Sequence, residues 1–266
     1  MCDCQSTGGA TRREAIAGAL IVGSAIAVGA GVASDARVAA TPTLPAVPAV
    51  EVFPGLSIYP RDAWGANLPP LGPIEVEQPQ FLMVHHTASS NRYSSAAALI
   101  QATYAFHTSP AKGWSDVCYE FFIGRDGDVW EGRAGAMTGP VVTDATGGSQ
   151  GFAQLICLLG DFTSQLPTDA AMASLVRVLA WLGDRYFIDI GAEVTTSFVS
   201  RGSQRWPAGT PVTTNTICGH RDMSFTSCPG DALYPLLPEI RAAAAVQHAA
   251  WRSLLKPARR LGVVAP

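Results

Sequence analysis

The chain has 266 residues, of which 48% are hydrophobic and 15% charged, enough for one substantial domain plus extensions. A formal net charge of −3 argues against a nucleic-acid partner. Only five histidines are present, so any that fall together carry weight.

Arg12 and Arg13 precede residues 15–32, an uncharged run of Ala, Gly, Val and Ile. The pattern resembles a twin-arginine export signal, although Glu14 stands where a bulky apolar residue usually follows sooner. Ser34-Asp35-Ala36 and Val38-Ala39-Ala40 offer small-residue cleavage sites. Left uncleaved, the eighteen residues just span a bilayer, but glycine and alanine give the run little membrane affinity. The sequence therefore predicts an export segment over residues 1–40, a protein at or outside the cell wall, and membrane contact only through an uncleaved N-terminus. Residues 41–57 are Pro/Ala-rich and read as a linker.

The domain is expected over residues 58–248. Residues 81–86 form a continuous apolar run of strand length. Ser94 or Ser95 can cap a helix to about Phe106. Residues 118–123 and 129–131 flank an Asp-Gly turn and read as a hairpin. Residues 155–159 read as a buried strand, and Thr168 or Asp169 caps a long helix to about Tyr186, with Leu175, Val178, Leu179 and Leu182 on its stripe. Residues 192–212 form an insertion of irregular or hairpin character. A short strand at 216–218 and a helix over 233–246, interrupted early by Pro235 and Pro238, complete the domain. A basic tail over residues 249–266 follows. Strands alternating with helices predict a mixed α/β fold, a mostly buried central sheet flanked by helices. A monomer is expected.

The chemistry concentrates in Gly219 to Gly230, reading GHRDMSFTSCPG. His220 and Cys228 stand eight positions apart, unlike the close pairs of structural zinc sites. An imidazole and a thiolate both suit zinc, and catalytic zinc sites take three protein ligands. The third is available at His85-His86. Neighbouring side chains of a strand face opposite ways, so only one of the two can join, and periodicity does not say which. If Cys228 is a ligand, Cys118, Cys157 and Cys218 remain beyond the export segment and allow at most one disulfide.

The residues Arg61-Asp62-Ala63-Trp64-Gly65-Ala66, Val84-His85-His86-Thr87-Ala88, Gly113-Trp114-Ser115-Asp116, Tyr119, Gly124-Arg125-Asp126-Gly127, Glu131-Gly132-Arg133, Leu159-Gly160-Asp161-Phe162 and Gly219-His220-Arg221-Asp222 through Cys228-Pro229-Gly230 occur in a telling order. In that order they resemble the peptidoglycan recognition proteins and their relatives, the zinc-dependent type-2 N-acetylmuramoyl-L-alanine amidases. The resemblance covers about residues 58–241, and residues 196–212 resemble an insertion common in actinobacterial members.

The resemblance implies an amidase-2/peptidoglycan-recognition-like fold and a zinc ion (Zn2+) on His85, His220 and Cys228. It also implies hydrolysis of the bond between N-acetylmuramic acid and L-alanine in peptidoglycan or muropeptides. It places Tyr119 beside the attacking water and Thr226 beside the developing oxyanion. His107 and Trp114 match groove-lining positions, and Arg221 and Asp222 brace the ligand loop. The family's usual histidine after the Glu-Gly-Arg strand is Met137 here, and its asparagine is Gln150, with a longer loop over residues 140–149 between them. Both positions border the substrate groove in relatives, so weaker substrate binding is expected. The alternative reading is a zinc-holding module that binds peptidoglycan fragments with little turnover.

Overall fold

The structure, a computed structural model, describes residues 47–147 and 151–260, without the side chains of 255–260. The predicted export segment and residues 41–46 of the predicted linker lie outside the described residues. No helix among the described residues is long and apolar enough to cross a membrane.

The elements follow in the order β1 (Val50–Phe53), β2 (Leu56–Tyr59), α1 (Asp62–Gly65), β3 (Phe81–His86), α2 (Ala96–His107), β4 (Phe121–Ile123) and β5 (Val129–Glu131). Then come β6 (Ala153–Leu158), α3 (Asp169–Arg185), β7 (Thr195–Val199), β8 (Pro211–Asn215), β9 (Ile217–Gly219), α4 (His220–Met223) and α5 (Leu237–Arg260). Seven strands form one mixed sheet in the order β1-β2-β5-β4-β6-β3-β9, while β7 and β8 pair with each other. β4, β6, β3 and β9 run parallel, in the register Phe121 to Ile156, Val84 to Ile156 and Val84 to Gly219.

The central strands are buried on both faces, which explains their unbroken apolar runs. One face carries α3 and α5. Thr168 caps α3 by accepting the Ala171 N–H at 3.2 Å. The predicted stripe of Leu175, Val178, Leu179 and Leu182 packs against Leu82, Val84, Ile156 and Leu158, each burial contributing about 1.5–3 kcal/mol. The other face carries α2, through Ile100 and Tyr104, and the β7–β8 hairpin, through Phe198 and Val212. α3 also docks on the β4–β5 turn, where Ser174 Oγ donates to Gly127 O at 2.6 Å. At Gly127 φ is +84°, and a Cβ would stand 2.9 Å from Ala170 O, so the turn requires glycine.

The differences from the sequence reading that bear most on the fold fall at three boundaries, while β6, β9 and the start of α5 shift by one to four residues. The sheet begins at Val50, ahead of residue 58, because β1 and β2 form a hairpin that joins β5. Residues 118–120 stay outside β4, since the segment before it is held by a side chain: Asp116 accepts from Val117 N–H at 2.7 Å and Ala134 N–H at 3.0 Å. The basic stretch expected as a tail continues α5 as far as Arg260, and Trp251 stacks on Phe53 with ring centroids 4.4 Å apart. Pro238 falls in the first turn of α5, where its missing N–H costs nothing. Cys118, Cys157, Cys218 and Cys228 are all buried and free of disulfides.

Candidate metal centre

β3 ends on the two histidines, and strand alternation separates them. Phe81 and Met83 belong to the α2 face, and His85 falls in step with them. Leu82 and Val84 belong to the α3 face, and there His86 accepts the Phe162 N–H on Nδ1 at 3.2 Å. β9 lies beside β3 and ends at Gly219, so His220 emerges next to His85, with ring centroids 4.4 Å apart. The chain then returns through residues 224–227 to Cys228, whose Sγ lies 3.6 Å from His85 Nδ1. His86 contributes its backbone alone: its N–H points at Cys228 Sγ at 3.4 Å, a contact that favours the thiolate.

The ligand atoms of His85, His220 and Cys228 all lie within 4.8 Å of one another, and all three residues are buried. Burial holds the His85 pKa well below the ordinary histidine value, and the imidazoles of His220, His86 and His107 push it the same way. His85 is therefore neutral, the form that ligates a metal. Its Nδ1 faces Cys228 Sγ, which makes it the His85 nitrogen placed to share a metal with the thiolate. Two imidazoles and one thiolate, with no fourth His, Cys or carboxylate grouped with them among the described residues, fit an open zinc-type site.

The ligand loop is tied down from within. Asp222 Oδ2 accepts the Gly219 N–H at 2.8 Å, and its Oδ1 accepts from the Tyr234 hydroxyl at 2.5 Å. The Arg221 N–H donates to Cys228 O at 3.1 Å, its Nε to the same oxygen at 3.3 Å, and its Nη2 to Ser227 O. Thr226 Oγ1 accepts the Cys228 N–H at 3.2 Å, so its own hydroxyl hydrogen can be directed elsewhere.

Beside the cluster stands an aromatic wall. The Tyr119 ring lies 5.1 Å from that of His85 and 5.6 Å from that of His107. His107, at the end of α2, packs edge-on to Trp114 at 4.9 Å and accepts the Cys118 N–H on Nδ1 at 3.2 Å. The segment bearing Tyr119 is anchored by the fully buried Asp116, paired with Arg61 Nη2 at 2.8 Å. Arg61 also donates to Gly132 O and Leu68 O, at 2.6 and 2.7 Å.

Residues 75–231 match the family model described as N-acetylmuramoyl-L-alanine amidase. The chain belongs to that family. An N-acetylmuramoyl-L-alanine amidase of Sus scrofa is 31% identical over 183 residues, 67% of this chain and 26% of the relative. Peptidoglycan recognition protein 1 of Mus musculus is 31% identical over 184 residues, 67% of this chain and 84% of the relative. The chain thus spans only 26–31% of the amidase relatives from Sus scrofa, Homo sapiens and Mus musculus. Among solved structures, Drosophila peptidoglycan recognition protein SD shares the fold with a TM-score of 0.51, at 24% identity over 68% of this chain and 92% of that one. Human PGRP-IBETAC, in complex with glycosamyl muramyl pentapeptide, gives 0.51 at 23% identity over 68% and 93%.

Within this amidase-family domain the structure brings His85, His220, Cys228, Tyr119, His107 and Trp114 together, with Thr226 in the loop between two of the ligands. Met137 does not join them. It packs against the core on the α3 face, its N–H donating to Glu131 Oε1 at 3.0 Å and its carbonyl accepting from Arg185 Nη2 at 2.9 Å. Gln150 lies outside the described residues. Contacts to the ligand loop from Tyr234, from Arg205 and from Trp206, whose Nε1 donates to Asp222 O at 2.8 Å, escape the sequence reading. The one signal for Trp206 was a lone tryptophan in an insertion otherwise rich in small polar residues.

Proposed function

We propose that the protein is a zinc-dependent N-acetylmuramoyl-L-alanine amidase, exported to act on peptidoglycan, which hydrolyses the amide between N-acetylmuramic acid and the L-alanine of the stem peptide. The observation that carries this reading is the buried group of three donors, His85, His220 and Cys228, which leaves a coordination position open for chemistry. When bound there, zinc supplies Lewis acidity that activates water and polarises the scissile carbonyl.

The chain's own residues account for the rest. His85 stays neutral through burial and keeps a lone pair for ligation. The Tyr119 hydroxyl orients the attacking water, supported by its ring's place beside His85. Thr226 donates to the carbonyl oxygen as charge develops on it, its own oxygen being held by the Cys228 N–H. His107 and Trp114 line the groove that seats the muropeptide. Digestion of purified sacculi followed by mass spectrometry tests the reading. Release of intact stem peptides with a free L-alanine amino terminus is expected. Sacculi that bind the protein but remain uncut would establish the binding-module alternative.

A further inference from the structure

The β7–β8 hairpin stands apart from the main sheet, yet its connecting turn reaches the helix that carries His220. Phe198 anchors the hairpin on the core by stacking with Phe81 at 5.4 Å and lying 5.2 Å from Phe152. The turn then builds a rigid seat for one side chain. Ser200 Oγ donates to Trp206 O at 2.7 Å, Ser203 N–H donates to the same carbonyl at 2.8 Å, and the Trp206 N–H donates to Ser203 Oγ at 2.9 Å. With its backbone so fixed, Trp206 sends its indole N–H to Asp222 O at 2.8 Å. Its neighbour Arg205 lies over the indole at 5.4 Å and donates to Arg221 O.

Those two carbonyls belong to α4, a helix of four residues. So short a helix cannot sustain itself, because its terminal carbonyls have no following turn to satisfy them. His220 O is taken up by Ser224 N–H at 3.1 Å. The hairpin therefore supplies donors to the next two carbonyls. From the opposite side, Gly219 N–H and Tyr234 hold the Asp222 carboxylate. Asp222 is gripped by its side chain from the core and by its carbonyl from the insertion, and His220 is two residues away.

We infer that Trp206 is a positioning residue for the metal centre: its indole N–H fixes α4, and with it the aim of the His220 imidazole. The inference rests on the zinc reading proposed above, but the geometry of α4 gives it an independent readout. Trp206→Phe keeps an aromatic ring in the seat and removes the N–H. Ser197→Ala serves as the comparison, since it breaks the Ser197–Thr213 hydroxyl contact at 2.8 Å in the same hairpin without touching α4.

The experiment titrates both variants and the wild-type chain with zinc against a chromophoric chelator. It also follows amide hydrogen exchange at Ser224 in the metal-free proteins. Trp206→Phe is expected to weaken zinc binding about 10- to 100-fold, as loss of an outer contact to a ligand does. It should also speed Ser224 exchange about tenfold, with Ser197→Ala leaving both unchanged. Equal zinc affinity in Trp206→Phe and wild type, with unchanged Ser224 exchange, would overturn the inference, as would equal effects from the two variants. If the wild-type chain takes up no zinc, the zinc reading fails by itself, and exchange at Ser224 alone decides whether Trp206 fixes the helix.

Discussion

The ligand loop over residues 219–230 and the loop over residues 134–147, whose Gly147 lies against Met223, behave differently. In the first, Asp222, Arg221 and Thr226 each bond the loop's own backbone, so much of the path follows from its own sequence, with Trp206, Arg205 and Tyr234 adding contacts from outside it. In the second, Met137 turns into the α3-side core, and the loop is positioned by partners far away in sequence, Arg185 among them. A residue placed by short-range bonds can be assigned from a motif. One placed by a long loop's path cannot.

The largest effects should fall on the first loop. Cys228→Ala removes the one thiolate of the three donors and is expected to abolish zinc retention, measured by metal analysis after dialysis. His86→Ala should keep the metal, because its imidazole faces the other side of the sheet and only its backbone reaches Cys228. Metal lost equally in both variants would erase the distinction between the two histidines. Next in size is Tyr119→Phe. It should hold zinc and fold normally while turnover drops on the order of 10- to 1000-fold, the usual cost of a contact made in the transition state. Unchanged turnover would reduce Tyr119 to a wall of the groove.

A third prediction concerns a residue that ties the second loop to the sheet. Glu120 is fully buried; its Oε2 accepts the Leu155 N–H at 2.6 Å and the Thr143 hydroxyl at 3.4 Å, and burial pushes its pKa up to about 8. The folded chain thus binds this proton more tightly than the unfolded chain does. Its stabilising contribution is complete below pH 4.5 and is lost as the pH rises towards about 8. Thermal unfolding should show Tm falling across that window, and Glu120→Gln, a neutral isostere, should flatten the fall. An identical slope in both proteins would contradict the assignment.

The smallest effect is expected at Met137. From the sequence alone, restoring a histidine there should strengthen substrate binding. With the side chain packed on the α3 face, Met137→His is instead expected to leave the substrate KM unchanged and to cost some stability, about 1 kcal/mol. A lowered KM would mean that this loop moves to meet the substrate.

Much of the architecture was legible because burial writes itself into composition. The runs at residues 81–86 and 155–159 read as buried strands by length and composition, and of the two caps offered for α3, Thr168 and Asp169, the structure uses Thr168. The three candidate donors were legible as a group because few residue types suit a metal, and the structure brings their ligand atoms within 4.8 Å of one another. The choice between His85 and His86 came from family likeness, and strand alternation against Met83 and Val84 gives it a physical cause. The β1–β2 hairpin was hidden because its strands, VEVF and LSIY, are only four residues each and border a Pro/Ala-rich stretch, although each alternates apolar and polar residues around Pro54-Gly55; β2 finds its sheet partner in β5. Trp206 was hidden for a related reason: its contact to Asp222 spans sixteen residues and depends on how the hairpin folds back.

On the function proposed above, His85, His220 and Cys228 hold the zinc that makes this chain a hydrolase. Titrating zinc into metal-free protein while following muropeptide cleavage tests it most directly. Amidase activity is predicted to rise linearly and to level at about one zinc per chain, with Cys228→Ala inactive at every ratio. Full activity without zinc, or a Cys228→Ala protein that cleaves like the wild type, would contradict it.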